Sequence, residues 1–545
     1  MNMTGSSGFS SIADSPCRWV SMDTVALILL IGAAAVVRMI FYTGFFGSDE
    51  VVYNAQALAL LHGDWQASDY IGAVRYGINL PVAAFLALFG VNELSANLWS
   101  LLCSLGEVIL VYVLARRFWG WKVGIYAAVL LAFLPLHVHY AGRMMADAPL
   151  AFFITLAFVL FILGEDRGKK SGAYFGAGVA LGFAYWIKSS VAILTVPVFL
   201  AYAVLRRRWV NQWLWAIAGG FLMLALNMAL MWVLSGDPLH VFTVDSGAVQ
   251  KVIDNSAKVY TPTYYFQYLF VNVQHTWLLG ILFVWGGWRY WSNKTDSSWG
   301  CGDTLLLWVL GLLAMLSFTV VSISPFAWIF KQTNYMLIFS APMAVLAAYG
   351  LAQLNKTALV TVLLLYVGGG IVLSALEQQA VRAFSSNSKA TVEFSKGKDV
   401  PVYASSHAVV ISEAESQFSG EWPVRRSLVR ISELAQDWSA AVNWKGAYVV
   451  LDQETMDWGG RNPKIDVSRV PRCWVGEGVL SPVGFGVGKQ VLLFLDSVAD
   501  VILPASLMQA VTGRMQSLLA PKPAYVFRVP KSCGFDASWA NTVAE

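Results

Sequence analysis

Apolar residues in this chain come in long unbroken runs, not in the alternation of half-buried strands. A helix needs about 20 apolar residues to cross the hydrocarbon core of a bilayer. Runs near that length occupy residues 24–42, 94–115, 123–137, 148–163, 173–187, 191–205, 213–234, 264–288, 305–323, 335–351 and 358–376. They predict eleven spans. Residues 78–89 are too few to cross and predict a helix lying along the membrane. After residue 376 the pattern changes to short apolar or alternating segments, at 400–403, 447–451 and 490–495, bounded by turns. The expected fold is therefore a polytopic α-helical membrane protein of about eleven transmembrane helices with a C-terminal α/β domain. Its parts are an N-terminal tail over 1–22, a transmembrane domain over 23–376 with a first outer loop at 44–93, and a soluble domain over 377–545.

Composition agrees with that pattern. Of 545 residues, 57% are hydrophobic and only 13% charged, and 23 are Trp, which excludes an ordinary soluble globule. The net charge of +4 is small for this length, and its basic residues sit in short clusters beside the apolar runs, so no nucleic-acid partner is expected. The Ser/Gly-rich start up to Arg18 and Trp19 is followed by a run without an obvious small-residue cleavage site, which predicts a retained first span.

Basic residues in short loops favour the cytoplasmic side. With the N-terminus inside, Arg116, Arg117 and Lys122, then Arg167, Lys169 and Lys170, then Arg206, Arg207 and Arg208, then Arg289 and Lys294, and then Lys356 all fall on that side. Single charges fall on the other: Asp49, Glu50, Arg75, Arg143, Asp147, Lys188 and Lys331. The C-terminal domain falls there too, in a compartment that permits a disulfide between Cys473 and Cys533. Cys17, Cys103 and Cys301 lie inside or within a span.

The outer charges are the candidate chemistry. Adjacent carboxylates at a bilayer edge, Asp49 and Glu50 in Gly-Ser-Asp-Glu-Val-Val-Tyr, ask for a functional reason. Their alternative role is to mark a helix end. Asp147 lies just before Pro149, at an expected helix N-terminus that favours a negative charge. His137 and His139, two residues apart, would not share a helical face, which argues against a metal there. Lys188 is expected at a tight outer turn suited to a phosphate. Lys331 and Tyr335, four apart, would share a face if their helix begins that early.

In order along the chain, Asp49-Glu50-Val-Val-Tyr53, Arg75-Tyr76 leading to Pro81, Asp147-Ala-Pro149, Gly182-Phe-Ala-Tyr-Trp-Ile-Lys188 and Lys331, Tyr335, Pro342 resemble the GT-C membrane glycosyltransferases, within them the branch of aminoarabinose transferases and protein O-mannosyltransferases. The resemblance covers roughly residues 20–350. It implies a glycosyltransferase of the inner membrane that takes a polyprenyl-phosphate sugar donor and passes the sugar, with inversion, to a lipid, glycan or protein acceptor outside the cytoplasm. It implies Asp49, Glu50 and Asp147 as catalytic, with Asp49 as base. It further implies Lys188, Lys331, Arg75 and Arg143 as phosphate-binding, and Tyr53, Tyr76 and Tyr335 as substrate-binding. No cofactor or metal site is expected; a divalent cation on Asp49 with Asp147 is the alternative the related oligosaccharyltransferases suggest. A transporter or flippase is the competing reading of the outer charges.

Overall fold

The structure is a computed structural model that describes residues 22–166, 168, 170–207, 209–254, 261–295, 298–420, 427–439, 446–458, 467, 470–502 and 515–534. The tail before Met22, Cys17, Arg167, Lys169 and Arg208 lie outside the described residues. Helices come in the order α1 Met22–Ile40, α2 Asp49–Leu61, α3 Tyr76–Phe89, α4 Glu93–Trp119, α5 Trp121–Ala132, α6 Pro135–Ala141 and α7 Asp147–Asp166. Then follow α8 Ser171–Ala192, α9 Val196–Arg206, α10 Trp213–Ser235, α11 His240–Asp254, α12 Tyr264–Phe270, α13 Leu279–Ser292 and α14 Cys301–Phe318. A two-stranded hairpin, β1 Val320–Ile323 with β2 Phe326–Trp328, leads to α15 Leu337–Leu351 and to α16 Lys356–Ser395.

Among the described residues, eight helical segments are long and apolar enough to span a membrane, or nine when the pair α5 and α6, bent by 65°, is taken as one. This is a multi-pass membrane protein. The difference from eleven has local causes. The runs 173–187 and 191–205 follow one another with hardly a break in helix, yet the chain turns back on itself where Lys188 leaves helical geometry (φ −158°, ψ 84°). Tyr174 on the first arm and Tyr202 on the second both donate to Glu165, so the two runs form a helical hairpin with Lys188 at the expected tight turn. The run 264–288 is divided between α12 and α13, with non-helical turns between them. The run 305–323 is corrected at its end: helix stops at Phe318, and Val320–Ile323 is a strand, in keeping with its β-branched residues. Residues 78–89 do form a short apolar helix, α3.

Side-chain caps and small residues shape the bundle. Asn92 accepts the N–H of Ser95 (2.9 Å) to start α4, and Asn355 accepts that of Ala358 (2.9 Å) to start α16. α8 and α10 pack so closely that a Cβ on Gly178 would lie 1.9 Å from the Ala216 carbonyl oxygen. Membrane helices use such small residues to bring backbones together. At one end of the bundle the basic clusters pair locally, Arg116 with Asp23 (2.6 Å), Arg117 with Asp166 (2.6 Å) and Lys294 with Asp303 (2.7 Å).

α16 is 40 residues long and continues well past the end of its apolar run at residue 376, carrying the chain into the C-terminal part. There β3 Val402–Ala404, α17 Ser406–Gln417, β4 Val429–Arg430, α18 Ile431–Ser439, β5 Tyr448–Asp452, β6 Val475–Val479, α19 Val487–Ile502 and β7 Ala524–Arg528 follow. The strands form a mixed sheet in the order β4-β3-β5-β7-β6, parallel at β4-β3-β5 and antiparallel at β5-β7-β6. Residues 490–495 are not a strand; they belong to the amphipathic helix α19, which packs its Gly488 against the Ala375–Gln379 turn of α16. Cys473 and Cys533 form a disulfide.

Candidate active site

The entry to α2 is built around a turn. Gly47 takes a φ of +89°, a left-handed conformation that favours glycine, and Asp49 and Glu50 then occupy the first turn of α2, where the helix dipole favours anions. Glu50 is fully enclosed. It accepts the Ser48 hydroxyl (2.5 Å) and the Phe46 N–H (2.6 Å) and pairs with Arg143 at 3.3 Å. Burial alone would raise its pKa, but Arg143, the Ser48 hydroxyl and the backbone donors outweigh it and hold the carboxyl below its ordinary range. Arg143, in the link between α6 and α7, also stacks over the Phe46 ring, its guanidinium carbon 5.2 Å from the centroid.

Asp147 opens α7, as expected, and its Oδ1 receives Lys188 Nζ at 3.1 Å across from the kink in α8. The other oxygen of Asp147 is buried without a hydrogen-bond partner among the described residues. Lys188 Nζ also stands 4.6 Å above the Tyr335 ring. Lys331 lies in extended chain after the hairpin, so it shares no helical face with Tyr335, which sits in a 3₁₀ turn leading into α15. Its ammonium donates to the carbonyls of Leu316 (2.7 Å) and Ser317 (2.9 Å) at the C-terminus of α14, where the dipole favours a cation. Burial lowers its pKa to about 8.

These distant segments meet around one cavity of about 290 Å³, lined by Phe46, Ser48, Asp49, Tyr53, Tyr140, Arg143, Met145, Asp147, Lys188, Tyr264, Lys331, Gln332, Thr333 and Asn334. Three cations and two carboxylates face it, a setting for a small polar ligand carrying negative charge. Asp49 is its open carboxylate: the side chain is 41% exposed, 3.8 Å from Arg75 and 3.5 Å from the Tyr53 hydroxyl, whereas Glu50 and Asp147 are each bound to a cation and 1% exposed. A larger cavity of about 430 Å³ between α7, α8, α9 and α10 is lined only by apolar residues and glycines, and brings no titratable group to bear.

Of the residues singled out in the sequence, Asp49, Tyr53, Arg143, Asp147, Lys188 and Lys331 line the charged cavity. Glu50, Arg75 and Tyr335 stand directly behind it, bonded to or stacked on residues that do: Glu50 on Arg143, Arg75 on Asp49 and Tyr53, and Tyr335 under Lys188. Tyr76 does not line it; it is buried in the core at the start of α3. Sequence reading passed over Phe46, Tyr140, Gln332, Thr333, Asn334 and also Asp245 of α11, which accepts the hydroxyl of Ser189 beside Lys188. Only adjacency to Asp49, Arg143 and Lys331 could have flagged the first five, and nothing local flags Asp245. His137 is held inside the bundle by Glu107 (3.0 Å) and Arg38 (2.8 Å). Among the described residues no three His, Cys, Asp or Glu side chains are grouped to hold a metal, and Asp147 already carries Lys188.

Residues 78–232 match the Dolichyl-phosphate-mannose-protein mannosyltransferase family. The chain is 30% identical over 205 residues to an undecaprenyl phosphate-alpha-4-amino-4-deoxy-L-arabinose arabinosyl transferase of Pseudomonas paraeruginosa, a match covering 35% of this chain and 36% of that one. It is 28% identical over 273 residues to a second such transferase, from Pseudomonas fluorescens, covering 47% and 48%. The aligned part thus spans a third to a half of the length of these relatives. In three dimensions the chain is similar to the crystal structure of ArnT from Cupriavidus metallidurans bound to undecaprenyl phosphate, with a TM-score of 0.54 and 16% identity over 79% of this chain and 94% of that one.

Proposed function

We propose that this chain, whose fold is that of the GT-C membrane glycosyltransferases, transfers a sugar from a polyprenyl-phosphate donor to a lipid, glycan or protein acceptor on the non-cytoplasmic face of the inner membrane. The observation that carries the reading is the single cavity that brings Asp49, Arg143, Asp147, Lys188 and Lys331 together from segments far apart in the sequence. Its charged residues sit at or just before the N-termini of α2 and α7, at the Lys188 turn of α8 and, through Lys331, against the C-terminus of α14, all at one end of the bundle. A transporter would be expected to place such charges along a path near the midplane. The relatives named above act on an undecaprenyl phosphate-linked sugar, which supports the same donor class here.

Arg143, Lys188 and Lys331 hold the donor phosphate, and Asp147 and Glu50 fix two of these cations in place. Asp49 orients the acceptor hydroxyl and takes its proton. The acceptor oxygen attacks the anomeric carbon while the bond from that carbon to the phosphate oxygen breaks, its electron pair leaving on the polyprenyl phosphate. One displacement inverts the anomeric configuration. In this reading residues 23–376 form the catalytic domain, and the sheet domain lies outside the cytoplasm beside the site.

The direct test follows radiolabelled sugar from polyprenyl phosphate to membrane acceptors, with the full-length protein in proteoliposomes. Transfer that depends on the protein supports the reading; donor binding without transfer, together with movement of donor across the bilayer, would replace it with a transporter. Lys331 gives the same assay a pH signature. Its charge is complete well below about pH 8 and is lost as pH rises through that value, so donor KM should increase above about pH 8. Lys331→Arg should remove the rise, because a guanidinium stays charged throughout this range. A flat KM profile in the wild type would dismiss Lys331 as a phosphate ligand.

A further inference from the structure

We infer that His407, on the first turn of α17 in the sheet domain, is a positioning residue for the charged cavity, setting the Phe46–Glu50 turn that aims Arg143. The inference rests on the transferase reading for its ligand, a polyprenyl phosphate. His407 is fully buried. Its Nε2 lies 2.7 Å from the carbonyl oxygen of Phe46 and its Nδ1 2.8 Å from the Ser388 hydroxyl on α16. A carbonyl only accepts, so Nε2 carries the proton, and in the neutral ring Nδ1 accepts from Ser388. Burial lowers the His407 pKa to about 4, which keeps this neutral form through the physiological range.

The imidazole is also enclosed by rings, with Phe46 at 5.5 Å, Phe384 at 5.1 Å and Trp458 at 5.1 Å between centroids. Phe46 transmits the constraint in two ways. Its N–H is bonded by Glu50, the partner of Arg143, and its ring carries the Arg143 guanidinium. There is no slack at the neighbouring glycine: a Cβ on Gly47 would lie 3.1 Å from Ile411 and 3.3 Å from His407 Nε2. At the far end of α17, Gln417 donates to the Val51 carbonyl (3.0 Å) and accepts from Asn54 (2.8 Å), so α17 grips α2 at two points. The sheet domain thereby reaches the cavity through the carbonyl and ring of Phe46 and through its hold on α2, although its own side chains do not line it.

The test measures equilibrium binding of tritiated undecaprenyl phosphate to full-length protein in nanodiscs. Affinity and site number are read separately, because partial unfolding lowers the number of sites without changing the affinity of those that remain. His407→Ala is expected to raise Kd about tenfold with the site number kept. His407→Gln, whose amide can still donate to the Phe46 carbonyl, is expected to return Kd to within about threefold of wild type. An unchanged Kd in His407→Ala, with or without loss of sites, overturns the inference, as does a His407→Gln Kd no better than that of His407→Ala. Wild-type protein that binds no undecaprenyl phosphate at all overturns the donor assignment as well, which separates the two failures.

Discussion

Replacing Asp49 with asparagine is expected to lower the rate of sugar transfer by a factor of about 10²–10⁴, the range over which a positioned general base acts, with donor KM changed little. The expectation comes from the division of labour among three carboxylates. Glu50 and Asp147 are enclosed and neutralised by Arg143 and Lys188, and at 1% exposure neither offers a solvated oxygen to an acceptor. Asp49 keeps 41% of its side chain exposed, with Arg75 and Tyr53 near enough to orient it but too far to saturate it. Single-turnover transfer in a normally inserted Asp49→Asn protein checks this. Transfer at the wild-type rate would remove Asp49 from its role and shift attention to Asp245.

The largest effect on stability is expected at Glu50. Glu50→Ala strands the Arg143 guanidinium in a buried site and leaves the Phe46 N–H and Ser48 hydroxyl without their acceptor. Breaking a buried pair by removing one partner costs about 3–5 kcal/mol, so the unfolding midpoint in detergent should fall strongly and donor binding should be lost with it. The pH dependence follows from the depressed folded pKa. What Glu50 contributes is fully present above the ordinary carboxylate range and disappears on acidification through the lower folded value. A Glu50→Ala protein as stable as wild type would mean that Arg143 finds another anion.

How much of this was legible in the sequence differs by element. Span positions follow from run length, since a bilayer demands it, and the gathering of the lone charges away from the basic clusters follows from how the two sets alternate along the chain. Six of the ten singled-out residues line the cavity because charge at a membrane edge is costly and marks its own purpose. Boundaries were less legible. The β-branched residues at 320–323 suit a strand, but they sit inside an unbroken apolar run, which hides where helix gives way to the hairpin. The turn at Lys188, by contrast, was readable from the lone charge between two runs. Residues 490–495 look alike as a strand or as one face of a short helix, and packing on α16 decides the matter. Least legible were His407 and Gln417, more than 350 positions from the backbone carbonyls they bond. A contact to a carbonyl leaves no trace in the identity of its partner.

The unbroken course of α16 has a consequence for how the molecule can come apart. Gln378, beyond the apolar stretch, donates to the carbonyls of Ile40 and Tyr42 (2.9 Å each), and Arg382 donates to that of Tyr42 (2.8 Å), so the upper half of this helix closes the end of the first span. No hinge interrupts the rod between the membrane-embedded half and the sheet. Membrane bundle and sheet domain are thus expected to lose structure in a single cooperative event, and a cut at residue 376 severs a beam instead of releasing a module.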